Sequence, residues 1–186
     1  MLSTRRHAGF TLIELVVMLA ILAITAAFAS NSWGRFIERS TQRTVINDLH
    51  TVFAYARWSA ASRRSLITVC PLSTNNTCVD DWNRPISVFV DENRDKQPDQ
   101  SPLRTFAPEL GAFKLHSRTA GRGYFRFDER GMISGSMGSL VLCPANFMHS
   151  TMSYMPINIV GRFRVEQDDD GDGMISLSWG GKVTCP

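Results

Sequence analysis

Gly9-Phe10-Thr11-Leu12-Ile13-Glu14 leads into a run without charge from Leu15 to Ala29. The twenty positions from Phe10 to Ala29 hold one ionisable side chain, Glu14. That length matches the ~20 helical residues that cross a ~30 Å hydrocarbon core. A carboxylate there costs about 3 kcal/mol even on insertion-derived scales, so something must compensate it. The competing reading is a secretory signal: Arg5 and Arg6 as its basic start, Leu15 to Ala26 as its apolar stretch and Ala27-Phe28-Ala29 as its cleavage site. Arg5-Arg6 also fits a twin-arginine signal, with little else of that motif around it. Neither signal has a use for a Gly-Phe junction set before Thr-Leu-Ile-Glu.

A basic leader, Gly9 and then Phe10-Thr11-Leu12-Ile13-Glu14-Leu15 resemble the processing signal of type IV prepilins and type II secretion pseudopilins. The resemblance implies that a prepilin peptidase cuts after Gly9 and methylates the new amino terminus at Phe10. It also implies that Glu14, the fifth mature residue, pairs with the terminal amine of a neighbouring subunit when the apolar helices bundle. That pairing would supply the missing counter-charge.

At 186 residues, 44% hydrophobic and 20% charged, the chain beyond the first ~30 residues is globular material for one domain. Two of its three net positive charges are lost with Arg5 and Arg6, so only a local patch can attract a polyanion. Cys70, Cys78, Cys143 and Cys185 all follow the apolar segment. With the leader in the cytoplasm they face an oxidising periplasm, where two disulfides are expected.

From Val45 the apolar positions Ile46, Leu49, Val52, Phe53, Ala56 and Ala60 recur at helical period, while Arg43, Asn47, His50, Arg57 and Arg64 point elsewhere. One helix is therefore expected from about Phe10 to about Arg63. Ser30-Asn31-Ser32-Trp33-Gly34 forms a stretch of poor helix formers inside it, and Trp33, Arg35 and Arg39 suit a membrane-water boundary. Beyond Arg64 the period shortens. Leu66–Cys70, Ile86–Val90, Leu103–Phe106, Ala112–His116, Tyr124–Phe127 and Leu140–Cys143 read as strands between glycine-rich turns. The expected fold is α+β: residues 1-9 as leader, 10-29 as the membrane and assembly half of the helix, 30-64 as its amphipathic half, and 65-186 as a periplasmic β-rich head.

The order of smaller pieces resembles the FimT, FimU and GspH branch of minor pilins and pseudopilins. They are Thr68-Val69-Cys70-Pro71 with Cys78, Trp82 before Val88 to Asp95, Phe127-Asp128 with Gly131, Leu140 to Cys143, and Gly161-Arg162-Phe163-Arg164. Three disulfide pairings are open. Cys70 with Cys78 and Cys143 with Cys185 are preferred because each joins the ends of plausible strands.

Asp168, Asp170, Asp172 and Gly173 occupy positions 1, 3, 5 and 6 of a calcium-loop pattern, but Trp179 stands where the twelfth-position glutamate belongs. A hairpin turn joining Phe163–Val165 to Ile175–Trp179 is the favoured reading, and no cofactor is expected. Asp91, Asn93, Asp95 and Asp99 repeat the calcium pattern with Lys96 in the glycine place, and that acidic loop is read as solvated. Some FimT-like proteins bind DNA through a Gly-Arg-x-Arg element, which Gly161-Arg162-Phe163-Arg164 matches. On a strand Arg162 and Arg164 share a face, with Arg118, Arg122, Arg126 and Lys182 as neighbours. Asp168-Asp169-Asp170 nearby argues against a DNA site, so the structural reading is preferred. His50, His116 and His149 are isolated from any nucleophile pattern, and catalysis is not expected. The sequence thus reads as a minor type IV pilin in the inner membrane, partnered by prepilin peptidase and by other minor pilins or pseudopilins. A pseudopilin of type II secretion and a DNA-binding minor pilin are the alternatives.

Overall fold

The computed structural model describes residues 11–135, 137–146 and 151–186. Among them one helix, α1 (Leu12–Arg63), precedes ten strands. The chain divides into two compact units at the Ile37–Glu38 junction.

In the first unit the described apolar side chains, from Leu12 and Ile13 through Ile24, are exposed all round the helix. A helix apolar on every side needs an apolar surrounding. Among the described residues no helix is long and apolar enough to cross a membrane; the side chains described in this run end at Ala26. Helical backbone continues through Gly34, so the weak formers there do not break it.

The second unit contains the remainder of α1 and all the strands. The expected stripe is buried as read: Val45, Ile46, Leu49, Val52, Phe53, Ala56 and Ala60 all face the core. Fully burying one of the larger of these side chains is worth about 1.5–3 kcal/mol. Phe53 lies at the middle, its ring 5.2 Å from Phe125, 5.6 Å from Phe163, 6.3 Å from Phe127 and 6.4 Å from Trp82. Arg64 ends the helix in the left-handed region at φ 54°, and the Ser65 amide donates back to the Ala60 carbonyl at 3.2 Å. That is a Schellman closure made without glycine.

Two antiparallel sheets pack on this helix. The first has the order β3 (Arg104–Phe106), β2 (Ile86–Val90), β1 (Ile67–Pro71), β5 (Phe125–Phe127). The second runs β4 (Phe113–Arg118), β6 (Gly138–Pro144), β7 (Ser153–Ile157), β8 (Glu166–Gln167). Ile67 and Val69 of the first sheet and Leu140, Leu142 and Met155 of the second join the helix stripe in one core. Gln42 of α1 adds a buried polar tie, donating at 2.8 Å to the Thr151 carbonyl and to Ser153 Oγ.

Each sheet is also covered behind. A hairpin of β9 (Met174–Ser176) and β10 (Lys182–Thr184) lays Ile175 and Val183 on Val141, Met152 and Tyr154. Behind the first sheet, Cys70, Phe89 and Tyr124 cluster with Leu72 and Cys78. Both preferred disulfides are present, Cys70–Cys78 and Cys143–Cys185, and no free cysteine remains. The molecule is therefore α+β, a helix packed on a β-rich, doubly cross-linked head.

Two expectations require correction. Phe163–Val165 does not pair with Ile175–Trp179: Phe163 bridges Ile157, β8 pairs with β7, and β9 pairs with β10. The Asp-Gly signal marks a turn correctly, but the strands it separates belong to different sheets. β7, which no expected strand covers, forms although Pro156 lies in it; Pro156 keeps a bond to the return limb, its carbonyl accepting from the Arg164 amide. Asp91 is not solvated but fully buried.

Candidate functional site

Thr11 and Glu14 close the start of α1 on themselves. Thr11 donates to Glu14 Oε2 from its amide and its hydroxyl, both at 3.1 Å, and Thr11 Oγ1 accepts from the Glu14 amide at 3.3 Å. This is a capping box, in which two otherwise unpartnered amides find side-chain acceptors. Its signature, Ser or Thr followed three residues later by Glu, is legible in Thr11-Leu12-Ile13-Glu14. Both bonds fall on Oε2, and among the described residues no donor reaches Oε1 of Glu14. Gly9 and Phe10, the expected processing residues, lie outside the described residues, as does His149.

The Gly-Arg-x-Arg element sits on the return limb of the β7–β8 hairpin. Asn158 turns the chain: its carbonyl accepts from the Gly161 amide at 2.8 Å, and its Oδ1 accepts from the Arg162 amide at 2.8 Å. Gly161 is at φ 68°, the left-handed region. A Cβ there would meet the Phe127 ring at 2.8 Å, so glycine is required twice over. Arg162 and Arg164 are exposed on either side of half-buried Phe163, as alternation predicts.

Arg126 does not join them. Its Nη2 is 2.6 Å from Asp91 Oδ2, its Nε donates to Thr68 Oγ1 at 3.2 Å, and the Thr68 hydroxyl donates to the same Asp91 oxygen at 2.7 Å. Tyr124 covers the guanidinium at 4.9 Å. Asp91 Oδ1 meanwhile accepts from the Lys96 amide, and Glu92 accepts from the Leu66 amide. The acidic loop after β2 is thus fastened to the strands by a buried ion pair, which no local sequence signal announces.

Asp168, Asp170 and Asp172 do converge, with ligand oxygens within 4.8 Å of one another. Asp168 is buried, and its two carboxylate oxygens accept from the Gly171 amide at 2.8 Å and the Gly173 amide at 2.9 Å. Burial pushes its carboxyl above the usual range, and Asp170 alongside adds to the shift; the two amides partly offset it. His50 lies edge-on to Phe163 at 5.9 Å, a packing contact.

Two family models match the chain: Type II transport protein GspH over residues 45–180, and the prokaryotic N-terminal methylation motif over residues 4–30. No curated protein sequence matches it. Among solved structures, the type IV minor pilin FimU of Pseudomonas aeruginosa PAO1 is similar in two crystal forms. The P21 form has TM-score 0.55 at 20% identity, covering 70% of this chain and 92% of that one. The P65 form has TM-score 0.51 at 19% identity, covering 67% and 91%.

Proposed function

The chain belongs to the GspH family of minor pilins and pseudopilins, and from that membership we propose that it is a minor type IV pilin, an assembly subunit that primes or caps the pilus. The observation that carries the reading is the joining of an N-terminal methylation motif to a GspH head with the fold of FimU. Prepilin peptidase cuts after Gly9 and methylates Phe10. The apolar half of α1 anchors the subunit in the inner membrane, with the head in the periplasm. During assembly that half enters the helical bundle, where Glu14 receives the terminal amine of a neighbour. That the capping bonds occupy only Oε2 among the described residues supports this role.

The mechanism is association, and it uses no cofactor. Backbone amides already close the Asp168 turn, which supports a structural turn over a calcium site. A melting temperature that rises with calcium at about 1 mM would reverse that reading.

The second reading, a pseudopilin of type II secretion, is favoured by the description of the matching family and shares the same processing. Deletion of the gene separates them: loss of surface pili with secretion intact supports the pilus role, and retained exoproteins with pili intact support the other. The intact mass of the membrane-extracted chain tests the premise of both. Loss of residues 1–9 with one added methyl group is expected; loss of everything through Ala29 would overturn it.

A further inference from the structure

Two left-handed glycines press separate loops against the outer side of α1. A Cβ on Gly131, at φ 72°, would meet Arg57 Cγ at 3.0 Å and the Arg57 carbonyl at 3.1 Å. One on Gly161 would meet the Gly131 carbonyl at 3.2 Å and Arg57 Cδ at 3.5 Å. The stem of Arg57 is therefore held by both turns, and the residues next to these glycines, Arg130 and Arg162, are brought to the same place. Together they line a groove of about 550 Å³.

Its helical wall is His50, Ala54, Arg57, Trp58 and Ala61, spaced for one face beside the core stripe, whose Phe53 also lines the groove. Trp58 is 63% exposed. Phe163 closes the far side. Among the described residues no carboxylate lines the groove, and the ion pairs are Arg84–Asp81 and Arg126–Asp91, so all three guanidiniums lack an acidic partner.

We propose that this groove docks an acidic segment of a neighbouring pilin-type subunit, an inference that rests on the assembly role above. Three guanidiniums without a carboxylate ask for an anionic occupant, and Arg binds carboxylates in a two-pronged, geometrically specific way. The other half of the lining is apolar, with Ala54 and Ala61 leaving room above them and Trp58 standing beside. A phosphate backbone would leave that half uncovered; a loop bearing a carboxylate next to an apolar side chain covers both. Trp and Arg are also the residue types that dominate the centres of protein interfaces. The small net charge gives no long-range field to hold a polyanion.

The test uses the full chain in its native membranes, with the photoreactive residue p-benzoylphenylalanine replacing Ala54 in one strain and Ala20, in the apolar half of α1, in another. The expected Ala54 adduct is an Asp- or Glu-containing peptide of a subunit carrying a methylated amino terminus. Its yield should fall about tenfold or more in Arg57→Glu/Arg130→Glu, and likewise in Arg162→Glu, with both disulfides intact in each variant. Adducts to nucleic acid or lipid, or a yield indifferent to charge reversal, overturn the proposal. If Ala20 crosslinks to a pilin-type subunit while Ala54 does not, only the groove inference fails. If neither does, the assembly reading fails with it.

Discussion

Replacing Arg126 by Met in the Glu38–Pro186 unit is expected to cost about 3–5 kcal/mol of unfolding free energy. Every apolar residue of the three buried clusters lies beyond Ile37, so this unit retains its cores. Arg126 of β5 stands opposite Thr68 of β1, and Asp91 follows directly on β2, so one guanidinium joins three segments of the first sheet. The side chains of Arg126 and Asp91 are 8% and 0% exposed. Met can fill the space of the Arg stem but leaves Asp91 buried with only neutral donors, the Thr68 hydroxyl and the Lys96 amide. The penalty is chiefly that stranded charge. It follows that Arg126→Met/Asp91→Asn, which keeps an acceptor for Lys96 and removes the charge, should be more stable than Arg126→Met alone. Urea unfolding of the wild type, both single variants and the double variant gives the coupling, expected at about 2 kcal/mol. A cost below about 1 kcal/mol for Arg126→Met, or single effects that add within ~0.5 kcal/mol, would refute the reasoning.

Removing the Cys143–Cys185 bridge, which spans 42 residues, should cost about 4 kcal/mol by loop entropy, against about 2.5 for Cys70–Cys78, which spans 8; urea midpoints of the paired Cys→Ser variants measure the order, and the reverse order would contradict it. Ser59 Oγ is buried in α1 without a hydrogen-bond partner, so Ser59→Ala should gain about 1 kcal/mol by removing an unsatisfied hydroxyl and improving helix propensity. A loss of stability would show that the hydroxyl has an unrecognised role. Asp168 ionises less readily folded than unfolded, so its contribution is most favourable in acid and is lost as pH rises through its ordinary value to its raised folded one. Asp168→Asn replaces one acceptor oxygen by an NH2 group, but its stability relative to the wild type should improve as pH rises from below the ordinary aspartate value of about 4 towards neutrality. Thermal melts across that range check the sign.

Periodic signals were the legible ones. The core stripe of α1 from Val45 to Ala60 and the strand Ile86–Val90 follow from spacing alone, because one-sided burial imposes period on the sequence. The disulfides follow from cysteines placed at strand ends. Pairing across long separations leaves no such mark. The Asp91–Arg126 pair links residues 35 apart, and an acidic loop in isolation reads as solvated even where its first carboxylate is the most buried group in it. Asp172-Gly173 signals a turn without saying whether β8 and β9 share a sheet. β7 went unread: Ser153-Tyr154-Met155-Pro156-Ile157 has a proline inside it, while the Pro156 carbonyl still serves the ladder. Thr11-Leu12-Ile13-Glu14 carried two messages at once, and reading Glu14 only as a charge in an apolar run passes over the capping box. Arg57 looked like an ordinary outward charge; what gives it meaning is the close approach of Gly131 and Gly161.

The bond between Cys143 and Cys185 also defines a mechanical route through the head. Tension applied at Pro186 crosses one residue to that bond and enters β6, bypassing the short β9–β10 hairpin. β6 is flanked by β4 in a six-residue register and by β7 in a five-residue register, so displacing it requires shearing two ladders together rather than unzipping one edge. For a subunit whose family is built into extended assemblies, Cys185 is consequently a mechanical handle on the middle of a sheet. A reducing environment would convert it into a compliant tether.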